Sequence, residues 1–452
     1  MRAASTFLIG AWLAGAAAAE PTVIVEVGRA GAAELGRLKQ AAGVRWSAEF
    51  GNELLLGVAA ESLPDWLHRA GVRAGPERLA PEEIVVRDHV CTLHDPEPAL
   101  AVVGGYEILR KPPSLARATR GPLVPGEPLP ADRVVARAVW NLEVPVERGA
   151  TDPAVQALTA RVDTERWFNT VVGLSGFNRN SFSSALGPAH DWILARFAET
   201  GLATQSYSFT LDGGNAGCNP PRPQVTLANP IGVQRGATLP EQWVVVGAHY
   251  DSRNVIRCDT ADPQPGANDN ASGCAGVIEL ARVFANVETA RSILFMCFSG
   301  EEQGLVGSRR YVESLQASGD IARVRYMINL DMIGYAVDDT LASRVETIPA
   351  FASELNRFAT AAATYAPELG LILSSSTQAY SDHWYFLAAG IPGAFTWENG
   401  AAIYPHYHRA TDVPANLLRG RALAGGILKM DTALLAAEAG LLAPLLRNGF
   451  ED

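Results

Sequence analysis

The chain has 452 residues, 48% of them hydrophobic and 19% charged, with a formal net charge of −11. That length exceeds one ordinary domain and that composition can bury a large core, so a globular chain of more than one domain is expected. The acidic balance argues against a nucleic-acid partner, whose phosphates demand a basic face. The five cysteines contain no Cys-x-x-Cys, which removes thiolate zinc fingers.

Residues 1–19 read as a signal peptide: Arg2, an apolar run from Phe7 to Ala18, and small residues at Ala17 and Ala19, with cleavage after Ala19. The run is short for a bilayer and no other long apolar stretch follows, so a secreted or periplasmic chain, free of the membrane after cleavage, is expected. Residues 20–110 carry short elements: strand Thr22–Val27, helix Ala33–Ala42, strands Val44–Phe50 and Glu53–Ala59, helix Pro64–Ala70 and strand Glu83–Val90. The order β-α-β-β-α-β is that of a small α+β ferredoxin-like module. Such a module ahead of a secreted enzyme resembles the inhibitory pro-domains of secreted peptidases; a permanent accessory domain is the other reading. Residues 111–150, with Pro112, Pro113, Pro122, Pro125, Pro128 and Pro130, read as an extended linker and a site for processing.

At Thr151-Asp152-Pro153, capping residues precede a proline at the first helical position and open a catalytic unit over residues 151–445. Helix Pro188–Thr200, strands near Gln224–Leu227 and at Trp243–His249, helix Gly273–Ala285, strand Ser292–Phe298, helix Ser308–Leu315 and strand Arg325–Asp331 follow. That alternation predicts an α/β fold with a mostly parallel sheet flanked by helices. Residues 446–452 form a short tail that suits a sorting or processing signal.

The chemistry sits at element ends. The apolar run Trp243-Val244-Val245-Val246 leads into Gly247-Ala248-His249-Tyr250-Asp251-Ser252, so a buried strand delivers His249 and Asp251 to its carboxyl end. Downstream come Gly266-Ala267-Asn268-Asp269-Asn270-Ala271-Ser272-Gly273, Ser299-Gly300-Glu301-Glu302, Asn329-Leu330-Asp331-Met332 and Pro405-His406-Tyr407-His408. Together they look like a metal site. Two zinc ions about 3.5–4 Å apart can share a bridging hydroxide and polarise a peptide carbonyl. They need imidazole and oxygen ligands, one carboxylate that spans both ions, and an unligated carboxylate as base. His249 can bind through one ring nitrogen while Asp251 accepts from the other. Asp269 lies among small residues that let its carboxylate reach two ions. Glu301 and Glu302, being adjacent, point apart, so that one can ligate while the other faces the water; Asp331 and His408 would complete the two spheres.

Gly-Ala-His-Tyr-Asp-Ser, Gly-Ala-Asn-Asp-Asn-Ala-Ser-Gly, Ser-Gly-Glu-Glu-Gln-Gly-Leu-Val-Gly-Ser, Asn-Leu-Asp-Met-Ile-Gly, Tyr-Ser-Asp-His and Tyr-His-Arg-Ala-Thr-Asp together resemble the M28 family of co-catalytic zinc aminopeptidases, in family order over roughly residues 155 to 440. A lone Glu-Glu is ordinarily a solvated surface and a lone His-x-Asp a satisfied hydrogen bond; six such segments in order outweigh that. The resemblance implies a zinc exopeptidase-like fold and two Zn2+ per chain. It implies ligands His249, Asp269 as the bridge, Glu302, Asp331 and His408, with Glu301 as general base and Asp251 orienting His249. It also implies a cis peptide at Asp269-Asn270. His408 is preferred to His406 because Thr411-Asp412 follows it, as in the family pattern, and His383 is expected to make structural hydrogen bonds with Asp382 as partner.

The pocket for the first side chain has candidates in Tyr380, Trp384, Tyr385, Phe386, Trp397 and Tyr404, with core packing the alternative for at least half of them. Cys218 and Cys258, in Gly/Pro-rich loops flanking one strand region, are the candidate disulfide in an oxidising compartment, whereas Cys274 and Cys297 read as small buried hydrophobes. The function implied is a secreted aminopeptidase acting on peptides with bulky apolar first residues, its own pro-domain a candidate inhibitor. The alternatives are a glutaminyl cyclase of the same fold with one zinc, a carboxypeptidase-type relative, and a non-catalytic binding relative, against which the intact ligand set argues.

Overall fold

A computed structural model of the chain describes residues 19–442 apart from 27–31, 51–52, 70–71, 77, 89–99, 104–105, 111–126, 129, 131–132, 137–147, 214–217, 219–220, 257, 337–338, 340, 376–380 and 399–403. The signal peptide, most of the linker, Tyr380 and the 446–452 tail thus lie outside the described residues.

Near the N-terminus, strands Thr22–Glu26, Val44–Phe50, Glu53–Val58 and Val72–Ala74 pair antiparallel in the spatial order fourth, first, third, second, and Val134–Ala136, from the segment expected to be a linker, adds a fifth strand parallel to Val44–Phe50. Helices Ala32–Lys39 and Leu63–Leu67 occupy the two crossovers. This is the ferredoxin-like order. One expectation is corrected: the fourth strand is Val72–Ala74, while the segment expected there, Ile84–Asp88, pairs with Tyr106–Arg110 in a second sheet of four strands. Val72-Arg73-Ala74 is too short to show alternation, whereas Ile84-Val85-Val86 shows strong strand character wherever it pairs. Period-two alternation then divides the apolar side chains: Val23, Val25, Leu54 and Leu56 pack with Trp66 of the helical layer, and Ile24 and Leu55 pack with Ile84 and Ile108 of the second sheet.

The catalytic unit opens with α1 (Pro153–Thr159), capped as expected by Asp152, whose side chain accepts from the Ala154 amide at 2.8 Å. Helices α2 (Thr164–Ser175) and α3 (Leu186–Glu199) precede a mixed sheet of β1 (Ala203–Leu211), β2 (Val225–Gln234), β3 (Leu239–His249), β4 (Arg291–Phe298), β5 (Val324–Leu330), β6 (Ala342–Thr347), β7 (Gly370–Ser375) and β8 (Gly393–Glu398). The spatial order is β1-β2-β4-β3-β5-β8-β6-β7. The neighbours β4-β3-β5-β8 run parallel, as do β6 and β7; β1-β2, β2-β4 and β8-β6 are antiparallel. The remaining helices are α4 (Gly273–Val283), α5 (Val306–Ser318), α6 (Glu354–Tyr365), α7 (His383–Ala388) and α8 (Arg421–Ala439).

The continuous apolar runs in β3, β4 and β5 follow from cover on both faces. Val244, Val246, Ile293, Phe295 and Ile328 pack on the side of α2, α3, α4 and α8, while Val245, Leu294, Met296 and Met327 pack on the side of α5 and α7. Strands β3, β4, β5 and β8 all end at one edge of the sheet. No helix among the described residues is long and apolar enough to cross a membrane.

Candidate metal centre

His249 is the last residue of β3, Glu301 and Glu302 follow β4, Asp331 follows β5, and Asp269 lies in the irregular segment Ala267–Ser272 that leads into α4. His408 comes from the loop before α8. All are buried: His249 1%, Asp269 5%, Glu301 3%, Glu302 1%, Asp331 7% and His408 7% exposed.

The ring of His249 has a defined polarity. Its Nδ1 lies 3.1 Å from the main-chain oxygen of Asp251, which can only accept, so Nδ1 carries the hydrogen and Nε2 is the free donor atom. The expected partner was the Asp251 carboxylate, but that group stands 3.6 Å away and is used otherwise. It accepts from the Ser181 hydroxyl at 2.9 Å and from the amides of Glu301 (3.2 Å) and Glu302 (3.3 Å). Asp251 therefore orients His249 through its backbone and the Glu-Glu turn through its side chain.

Two donor triplets share one residue. His249 Nε2 is 3.3 Å from Asp269 Oδ1 and 3.4 Å from Asp331 Oδ1. His408 Nε2 is 3.1 Å from Asp269 Oδ2 and 3.3 Å from Glu302 Oε2. Ligands about 2.0–2.1 Å from a tetrahedral zinc are about 3.3–3.4 Å from one another, so both triplets have the spacing of a zinc coordination edge. His249, Glu301 and Glu302 form a third possible grouping. Filling the two triplets that share Asp269 uses five residues and leaves Glu301 over, its Oε2 3.8 Å from His249 Nε2.

The residues fit zinc on a second ground. Asp269 Oδ2, both Glu302 oxygens and Asp331 Oδ1 are buried without a hydrogen-bond donor. Such a cluster of buried acceptors calls for a cation. Burial pushes the Glu301 and Glu302 carboxyls well above the ordinary range, with Glu302 and Asp269 respectively as the largest added repulsions. Burial also pushes Asp269 upward, but the histidines on either side more than reverse this and hold it low. His249 is raised despite burial by Asp331 and Glu301, so metal binding would expel its proton.

The supporting residues were less visible in the sequence. Asp412 accepts from the main-chain amides of Asn268 (2.9 Å) and Asp269 (3.0 Å), and so fixes the residue common to both triplets from the loop that carries His408. Asn268 and Asn270 flank Asp269. The first bonds Glu398 and the Gly334 amide, the second the Met332 amide and the Leu330 carbonyl, tying this segment to that of Asp331. The Asp269-Asn270 peptide is cis. Ser381 donates to Asp331 at 2.7 Å. Arg179, fully buried, donates to the carbonyls of Leu174, Tyr250, Pro265 and Gly266 at 2.6–2.8 Å. The polar run Asn178-Arg179-Asn180-Ser181 between two helices was the only sequence signal for it.

The structure places His408 in the cluster and keeps His406 outside, its Nδ1 2.9 Å from the Thr411 hydroxyl. The expected His383–Asp382 bond is absent: the His383 Nδ1 and both Asp382 oxygens lack hydrogen-bond partners, and His383 stacks on Phe395 at 5.0 Å. Adjacent residues at the start of α7 point in different directions. Burial lowers His383 to about 3 and raises Asp382 to about 7. Among the aromatic candidates, Trp384, Tyr385 and Trp397 are partly exposed and Phe386 is core. Tyr404 is buried, with its hydroxyl donating to Asp412 at 2.7 Å.

Cys218 and Cys258 are bonded as expected. Cys274 and Cys297 are buried as expected but are joined to each other, a correction to their reading as separate small hydrophobes. The first turn of α4 crosses the end of β4, a proximity that sequence spacing does not reveal.

Fold and site define an α/β protein with a buried histidine–carboxylate cluster that could hold metal ions, at the carboxyl ends of strands β3, β4 and β5. Residues 229–425 match the family model described as Peptidase family M28, and the chain carries a domain of that family. It is 32% identical over 212 residues to a probable zinc metalloprotease of Pyrenophora teres f. teres, covering 43% of this chain and 44% of that protein. It is 33% identical over 208 residues to aminopeptidase YwaD of Bacillus subtilis, covering 45% and 43%. The chain thus spans less than half the length of these relatives. In fold it is similar to the LapA aminopeptidase of Legionella pneumophila (TM-score 0.53, 18% identity, 94% of this chain and 99% of that one). It is also similar to an aminopeptidase from Aneurinibacillus sp. strain AM-1 (TM-score 0.50, 20% identity, 64% and 97%).

Proposed function

We propose that this chain is a secreted or periplasmic aminopeptidase that uses two zinc ions to remove bulky apolar residues from peptide N-termini. One observation carries the reading: Asp269 turns one oxygen to each of two histidine–carboxylate triplets. His249, Asp269 and Asp331 would hold one ion, and Asp269, Glu302 and His408 the other. Bound there, zinc would polarise the scissile carbonyl and make a water acidic enough to deprotonate near neutrality.

The chain's own groups do the rest. Glu301, outside both triplets and raised by burial, takes a proton from the attacking water at its carboxylate and returns it to the leaving nitrogen. Asp251 holds the Glu301 and Glu302 amides, so the base and its neighbouring ligand keep their positions. Trp384, Tyr385 and Trp397, partly exposed, are the candidates that remain among the described residues for the side-chain pocket. Residues 20–110 act as the inhibitory pro-segment in this proposal.

The test is hydrolysis of free and N-acetylated leucyl and phenylalanyl anilides before chelation, after it, and with zinc restored. Metal-dependent cleavage of the free substrates alone, with two zinc per chain, is expected. One zinc per chain with cyclisation of N-terminal glutamine would replace the reading by the cyclase. Glu301→Gln should keep both ions and lower kcat by roughly 10²–10⁴; retained turnover would remove Glu301 as base.

A further inference from the structure

Arg253 has no role in the chemistry above. It lies two residues past Asp251, is 9% exposed, and its Nε is among the buried atoms without a hydrogen-bond partner. Among the described residues its guanidinium donates no hydrogen bond; its one charged neighbour is Glu302, with Nε 3.8 Å from Oε2. A guanidinium offers five donors in a planar fork and is costly to bury with none of them used. Arg179 is buried completely, but four of its five N–H donors are directed at main-chain carbonyls.

The segment holding Arg253 is fixed on both sides. The Ser252 hydroxyl donates to the Gln264 carbonyl at 2.8 Å and the Ser252 amide to the Arg179 carbonyl at 3.1 Å. The Asn254 side chain donates to Asp259 at 2.7 Å and accepts from the Ile256 amide at 2.8 Å. Cys258, a little further on, is bonded to Cys218. The arginine is thus held beside the Glu302 oxygen that faces His408, with its donors unspent.

We infer that Arg253 is a specificity-determining residue that binds a carboxylate of the substrate, one residue beyond the bond that is cut. This rests on the aminopeptidase reading. The charge of Glu302 is committed to the metal centre, so the guanidinium seeks another anion, and a carboxylate matches its fork with two parallel bonds. Arg253 Nε stands 3.8 Å from Glu302 Oε2 at the edge of the centre, which puts an anion on its fork within about one residue of extended chain, about 3.3–3.6 Å, of a group held there. The group in reach is the free C-terminus of a dipeptide or an acidic side chain on the second residue.

The test is calorimetric binding to the zinc-loaded full chain of a leucyl-glycine analogue whose amide is reduced to an amine, as its free carboxylate and as its carboxamide. Hydrolysis of Leu-Gly, Leu-Gly amide and Leu-Asp amide is measured alongside. The carboxylate should bind at least ten-fold more tightly than the carboxamide. Arg253→Gln should bring that ratio within two-fold, and Arg253→Lys, which keeps the charge but not the fork, should give an intermediate value and serves if the glutamine variant does not fold. Leu-Asp amide cleaved like Leu-Gly would identify the acidic side chain as a second source. A ratio within two-fold in the unaltered chain, or one that survives in Arg253→Gln, overturns the inference. Binding needs no turnover, so failure to cleave any peptide would strike the aminopeptidase reading while the ratio still decides the role of Arg253.

Discussion

At the scale of single residues, the centre depends on groups that hold backbone in place. Asp412 accepts from two consecutive amides, one of them that of Asp269. Asp412→Asn would turn an amide group toward one of those N–H donors and leave a buried donor unmet, at a cost of about 1–3 kcal/mol. Zinc affinity, read by competition with a chelator, should fall about 10–100-fold with far-ultraviolet circular dichroism unchanged; an unaltered affinity would separate Asp412 from the centre. Glu346 is a different case, a buried carboxyl that belongs to none of the candidate metal groups. It is 6% exposed on β6, the Ser374 hydroxyl donates to it at 3.0 Å, and burial, opposed by Arg344 and Ser374, raises it from 4.5 to about 7. Between those values the folded chain binds a proton that the unfolded chain has released, so stability falls as pH rises from about 4.5 to about 7 and stays reduced above. The difference of 7 − 4.5 is worth about 3 kcal/mol at about 1.36 kcal/mol per pH unit. Urea unfolding of Glu346→Gln should therefore gain about that much relative to the native chain between pH 4 and pH 8, and a pH-independent difference would refute the account.

At the scale of elements, the second disulfide joins two of the segments that carry the centre. Cys274 stands in the first turn of α4, just after the Asp269 segment, and Cys297 near the end of β4, just before Glu301. With a sequence separation of 23, loop-closure entropy puts the bond at about 3 kcal/mol. A Cys274→Ala, Cys297→Ala variant should lose about that much in denaturant unfolding, and reductant alone should not mimic it in the folded chain, because both sulfurs are buried. A variant as stable as the native chain would reject the contribution. The elements around these cysteines were legible in sequence because β3, β4 and β5 are covered on both faces and read as unbroken apolar runs. Strand β1 was less so: Ala203, Thr204, Gln205 and Ser206 are all exposed on an edge strand, and alternation sets in only over Tyr207–Leu211. Strand β6 hides differently: it is buried on both faces, yet largely by polar residues, Ser343 and Thr347 on one and Arg344 and Glu346 on the other. The same division holds at the centre. His249, Asp269, Glu301, Glu302, Asp331 and His408 stand at element ends in recognisable segments, whereas Arg179 acts on carbonyls and Asp412 on amides, main-chain atoms that every residue has.

At the scale of the whole molecule, two of the buried apolar clusters draw only on residues between Val23 and Ile108, and the other two only on residues between Val155 and Ala439. A unit with a complete core of its own can fold alone. The chain enters the catalytic unit along α6, where Arg148 donates to the Ala363 carbonyl, the Thr364 hydroxyl receives the Gly149 amide, and the Tyr365 hydroxyl receives the Asp152 amide. A protein starting at Arg148 keeps these anchors. Residues 148–442 should therefore express as a soluble monodisperse unit that binds two zinc, and calorimetry of the longer chain should show two separable transitions, one of them shifted by chelation. Comparing kcat/KM of the two proteins then tests the proposed pro-segment. A rise on removal of residues 20–147, reversed by adding the N-terminal unit back, is expected of an inhibitor, whereas equal values would make it an accessory domain. An insoluble or metal-free 148–442 unit would show instead that the N-terminal sheets complete the catalytic fold, against the separation of their cores.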